Sequence, residues 1–99
     1  MGNDAYIIIK QNEYLRKFRR AGATDPNLAR TLSEIGVKPS GIFRRMEDRD
    51  VFRQGRRPET YYIDESAAED FLAARRRRAL YSILLAIALV ALLFFLRHR

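Results

Sequence analysis

Eighteen uncharged residues in a row, from Ala79 to Leu96, restrict this chain more than any other feature of its sequence. At 1.5 Å rise per residue, a helix over such a run covers about 27 Å, close to the hydrocarbon thickness of a bilayer. The run holds seven Leu, two Ile, two Phe and one Val. Near the centre of a span those side chains contribute about −4 to −7 kcal/mol towards insertion. A core helix of a small soluble domain needs a polar face, and this run has none. A single transmembrane helix over 79–96 is therefore expected.

The charges around the run set the expected topology. Arg75, Arg76, Arg77 and Arg78 precede it, and Arg97 and Arg99 follow. Four arginines against two orient the N-terminal part towards the cytoplasm, in tail-anchored topology at the inner membrane of a bacterial cell. These six membrane-flanking residues meet anionic headgroups, each attracted by about 1 kcal/mol. They also explain most of the net charge of +7, because residues 1–74 hold 13 Lys+Arg against all 12 Asp+Glu. The overall basicity is thus no argument for nucleic-acid binding by itself. Ala79, Ser82 and Ala86 share one face of the run, a small-residue stripe that leaves a homodimer open.

Several chemistries lack their residues. Without cysteine there are no disulfides, thiol nucleophiles or Cys-based zinc sites. The single histidine, His98, has no second ligand near it in sequence. "MGNDAYIIIKQNEY" has no basic n-region, which argues against a cleaved signal peptide. Tyr6 stands where a myristoylation signal carries Ser or Thr. No Gly-rich phosphate loop or Ser/His/Asp set occurs. The expectation is a chain that is not an enzyme and takes no cofactor or metal.

The preceding residues read as short elements. Ile8, Leu15 and Phe18 lie at helical spacing over residues 7–20, although the β-branched run Ile7 to Ile9 also suits a strand or a disordered lead-in. "TLSEIGVKPSGIFRRMEDRD" reads as two helices around a turn. Thr31 and Glu34 have capping-box spacing, Gly36 can end the first helix, and Ser40 can cap the second. Thr24 or Asp25 before Pro26 is an alternative start for the first. Ile42, Phe43 and Met46 form the inward face of the second helix, and Arg44, Arg45, Glu47, Asp48 and Arg49 the outer one. Val51 and Phe52, then Thr60 to Ile63, read as two strands around the turn-forming "QGRRPE". Of Tyr61 and Tyr62, alternation sends one ring to the core and the other to solvent. Asp64 suits the N-cap of a last helix, and no Gly or Pro follows it, so that helix can run unbroken into the apolar run.

In this order, "IGVKPSGIFRRMEDRDVFR" followed by "TYYIDESAAEDFLAARR" resembles the winged helix-turn-helix segment of the excisionase or MerR-type families, over about residues 28–75. The resemblance implies a mainly α fold: a small winged helix-turn-helix domain of three helices plus a short β-hairpin, whose last helix continues into the transmembrane helix. It implies DNA binding, with the second helix in the major groove and the wing on phosphate. Carried over by position, Ser40, Arg44, Arg45 and Arg49 fall on the reading helix, and Arg53, Arg56 and Arg57 on the wing. Glu47 and Asp48 depart from that pattern by placing carboxylates where phosphates come close.

The expected organisation is a cytoplasmic domain over 1–63, a helical stalk over 64–78, the span over 79–96 and a short tail over 97–99. Residues 10–57 carry 13 Lys+Arg against 6 Asp+Glu, which favours DNA as ligand. The acids on the reading helix and the short stalk favour a partner protein instead. Two functions follow: a membrane-anchored winged-helix module tethering or regulating DNA, or a protein–protein adaptor that binds no DNA.

Overall fold

A computed structural model of the protein describes residues 2–98, with side chains from residue 4 onwards. Among these residues the order is α1 (Gly2–Arg20), β1 (Arg30–Thr31), α2 (Leu32–Ile35), α3 (Gly41–Asp48), β2 (Phe52–Gln54), β3 (Thr60–Ile63) and α4 (Glu65–Arg97). The chain divides into two compact units, Met1–Glu69 and Asp70–Arg99.

α1 resolves the ambiguity at Ile7 to Ile9 in favour of helix. A strand there needs a ladder partner for its amides, whereas a helix satisfies them within itself. Glu13 supports the choice by pairing with Lys10 at 3.2 Å and Lys17 at 3.0 Å, one turn on either side. The helix ends at Gly22, whose φ of +72° suits a residue without Cβ. Its inner face buries Tyr14, Leu15 and Phe18.

The caps read from the sequence are the caps in the structure. Thr31 accepts a hydrogen bond from the Glu34 amide while the Glu34 carboxylate accepts from the Thr31 amide, closing the capping box on α2. Gly36 ends α2 in the left-handed region. Ser40 Oγ accepts from the Phe43 amide at 3.1 Å and caps α3. Asp64 Oδ1 accepts from the Ala67 amide at 3.1 Å in the first turn of α4. The alternative start near Pro26 is a turn: Asp25 Oδ1 accepts from the amides of Asn27 and Leu28.

Three expectations are corrected. The hairpin of β2 and β3 is joined by β1, giving a three-stranded antiparallel sheet of order β1–β3–β2. The register pairs Thr31 with Thr60 on one side and Phe52 with Ile63 on the other. With α4 counted, the described residues hold four helices rather than three. Tyr61 and Tyr62 do not split into core and solvent; both are half-buried. Pairing on both sides covers β3, and the Tyr61 ring stands edge-on to Phe43 with centroids 5.6 Å apart.

Three parallel phenyl rings centre the core of the first unit. Phe52 stacks on Phe18 at 4.2 Å and on Phe43 at 5.0 Å, and Phe18 and Phe43 lie 6.2 Å apart. Tyr14 meets Phe43 edge-on at 6.3 Å. Such pairs add about 0.5–1.5 kcal/mol each beyond their area burial. Met46, Val51, Ile63 and Ala68 close around them, all fully buried. The Ile63 amide donates to the Ala23 carbonyl and the Asp64 amide to Val51, which ties the sheet to both flanking loops.

The part of α4 in the second unit has a different character. Leu80 to Leu96 are exposed throughout, and an 18-residue window reaches a mean hydropathy of 2.8 with none of it buried. It is a C-terminal helix long and apolar enough to cross a membrane.

Candidate nucleic-acid interface

The rotation of α3 is fixed by two side chains three residues apart. Phe43 and Met46 are buried, so Arg44, Arg45 and Arg49 turn outwards and are exposed. Among the described residues, no hydrogen bond or ion pair engages any of the three guanidinium groups. Asp48 is exposed on the same helix and Glu47 half-buried. The outer face is therefore cationic with acidic interruptions.

Ser40 is engaged within the domain. Besides capping α3, its hydroxyl lies 3.0 Å from the Tyr14 hydroxyl, and the residue is half-buried. It holds the start of α3 against α1.

The turn between β2 and β3 separates its three arginines. Arg53 Nε lies 3.2 Å from Asp64 Oδ2, and its Nη2 lies 4.0 Å from Asp50. Arg57 Nη2 donates to the Ala29 carbonyl at 3.1 Å. Arg56 is exposed, and its guanidinium has no partner among the described residues. The turn is docked against the loop before β1 by a further bond, from the Arg56 amide to the Pro26 carbonyl at 3.4 Å. Gly55 permits that approach, since a Cβ there would run into the Ala29 Cβ and lie 2.7 Å from Thr60 Oγ1. Arg56 is thus presented to solvent, while Arg57 holds the turn in place. Arg53 lies between these roles. A partly exposed ion pair is worth about 0.2–1 kcal/mol, so a phosphate can displace Asp64 at little cost.

Sequence reasoning passed over Lys38, which is exposed in the turn joining α2 to α3. Its place between the two capped helices was the available signal. Lys38 borders a shallow cavity of about 220 Å³ shared with Lys10, Glu13, Tyr14, Lys17 and Gly36. Lys17 Nζ donates to the Gly36 carbonyl at 2.7 Å, tying α1 to the end of α2. Hydrogen bonds from Lys17 and then Lys10 hold the Glu13 carboxyl below its ordinary range, so it stays charged among these lysines. Arg16 and Arg20 on α1 were also passed over; both are exposed, with no partner among the described residues.

Of the arginines flanking the apolar stretch, Arg76, Arg77, Arg78 and Arg97 are exposed and Arg75 is half-buried. Arg99 lies outside the described residues. No group of three or more His, Cys, Asp or Glu side chains gathers among the described residues. No family model, curated protein or solved structure matches the chain.

Proposed function

We propose that this chain is a bilayer-anchored DNA-binding module of the winged helix-turn-helix type, tethering or regulating DNA at the inner membrane. One observation carries the reading: Arg44, Arg45 and Arg49 project from α3, and Arg56 from the β2–β3 turn, with no partner among the described residues. Unpaired guanidinium groups on a helix and an adjacent turn suit bidentate contacts to guanine edges and point contacts to phosphate. Arg75 to Arg78 and the apolar length of α4 support a single span with the first unit on the cytoplasmic side. The module carries out no catalysis and needs no cofactor.

A second reading has its own support. Glu47 and Asp48 share α3 with the arginines, and Arg53 and Arg57 are engaged within the domain. Those features suit a partner protein and an adaptor role.

The deciding experiment titrates mixed-sequence duplex DNA onto the full chain in zwitterionic nanodiscs, over a range of salt concentrations. On the DNA reading, Arg56→Ala weakens binding to every sequence and lowers the salt slope by about one. Arg44→Ala or Arg45→Ala costs about 1–3 kcal/mol at a preferred site and relaxes preference there. An absence of DNA binding at low salt, with a partner protein lost on the same substitutions, establishes the adaptor.

A further inference from the structure

From Asp4 to Asn12, no side chain of α1 is buried in the core. Tyr6 is 57% exposed, Ile8 40% and Ile9 63%. Helical spacing places Tyr6, Ile9, Glu13, Arg16 and Arg20 along one stripe, away from the buried Tyr14, Leu15 and Phe18. Along this stripe the Lys10 ammonium lies 5.9 Å from the centre of the Tyr6 ring, and Glu13 pairs with Lys10 and Lys17. The stripe is apolar towards the N-terminal end and cationic further on. Ile9 and Arg16 stand about 10 Å apart along the axis, so a helix lying in the interface plane presents both to one bilayer surface.

We infer that this stripe is a docking surface for an anionic bilayer. Tyr6 and Ile9 enter the boundary between headgroups and acyl chains, and Arg16 and Arg20 lie among anionic headgroups. Charge favours this occupant. From Lys10 to Arg20 the helix carries Lys10, Arg16, Lys17, Arg19 and Arg20 against Glu13 alone. Glu13 is neutralised by two of those lysines, and Arg19 is held by Glu65 on another face. Asp4 is the remaining acid, on the side opposite the stripe. A second copy of the chain would set this cationic stripe against its own like; anionic lipid complements it. The inference rests in part on the proposed anchoring, because α4 would keep such a surface within reach.

The chain has no tryptophan, so a single one reports on its own surroundings. Ile9→Trp and, separately, Leu89→Trp are made in the full chain. Each is reconstituted in vesicles of phosphatidylcholine with phosphatidylglycerol and in phosphatidylcholine alone, with and without acyl-brominated lipid. Leu89→Trp tests the span. Ile9→Trp tests the docking independently, whatever Leu89→Trp gives. The expected result is blue-shifted Ile9→Trp emission, quenched by brominated lipid in the anionic vesicles and unquenched in phosphatidylcholine alone. Adding Arg16→Ala and Arg20→Ala lowers the docking equilibrium about thirty-fold, at one headgroup attraction per arginine, and abolishes the quenching. Unshifted, unquenched emission overturns the inference. So does quenching that ignores lipid charge or the two arginines. Blue-shifted emission without lipid quenching also overturns it, since a protein surface then covers the stripe.

Discussion

Replacing Gly55 with alanine tests how the β2–β3 turn is held. Gly55 has an ordinary backbone conformation, so the substitution acts through space. Its added Cβ would run into the Ala29 Cβ and lie 2.7 Å from Thr60 Oγ1 and 3.3 Å from the Pro26 carbonyl oxygen. Ala29 and Thr60 are buried, so neither can move aside freely. Relief requires the turn to lift off the loop before β1. That breaks the bonds from Arg56 N to Pro26 O and from Arg57 Nη2 to Ala29 O. Each lost bond costs about 0.5–1.5 kcal/mol, and residual overpacking about 1–3 kcal/mol. A total near 3 kcal/mol lowers the melting midpoint of a domain this size by roughly 12–24 °C. The assay is thermal melting of the full chain in micelles, followed by near-ultraviolet circular dichroism of its tyrosines and phenylalanines. Gly41→Ala is the control, because its added Cβ meets nothing within 4 Å. It sits in α3 and should be neutral or stabilising by up to about 1 kcal/mol. A Gly55→Ala midpoint equal to the parent's, or an equal fall in both variants, would refute the reasoning.

Met46→Asp places an unpaired charge at a fully buried position and should abolish the near-ultraviolet signal at every temperature, whereas Phe52→Ala should cost about 3–5 kcal/mol. Acid should weaken the first unit. Glu13 and Glu34 are held below the ordinary 4.5, Glu13 by the two lysines and Glu34 by the Thr31 hydroxyl and amide. Depressed carboxyls contribute stability that is whole above about 4.5 and is lost as pH falls through their folded-state values. Glu13→Gln should therefore flatten the fall of the melting midpoint below that pH, and an unchanged profile would count against the pairing. For topology, a cysteine at exposed Glu59 should resist an impermeant thiol reagent in intact cells while one at His98 reacts; the opposite pattern reverses the proposed orientation.

The elements that could be read from the sequence are those fixed by neighbours a few residues apart. Thr31 with Glu34, Gly36, Ser40 and Asp64 each act within one turn, so their residue types announce them. β1 could not be read this way. Two residues have no periodicity, and Arg30 and Thr31 are extended because Tyr61 and Thr60 pair with them from across the chain. The candidate site divides similarly. The outward face of α3 follows from the spacing of Phe43 and Met46. That Arg57 is tied to Ala29, 28 residues away, and Arg53 to Asp64 depends on tertiary geometry. Three arginines alike in sequence thus acquire different tasks.

Thr31 ends β1 and also caps α2, which has only four residues. A helix that short has no stability of its own in water. Its cap stays in place only while Thr31 remains paired with Thr60. α2 consequently has no private route of opening, and its amides must wait for the sheet. In native-state hydrogen exchange, the Glu34 and Gly36 amides, bonded to Thr31 and Leu32, should exchange with the same free energy as those of β3. The turn that presents α3 is in this sense part of the sheet's cooperative unit, despite being helical in form.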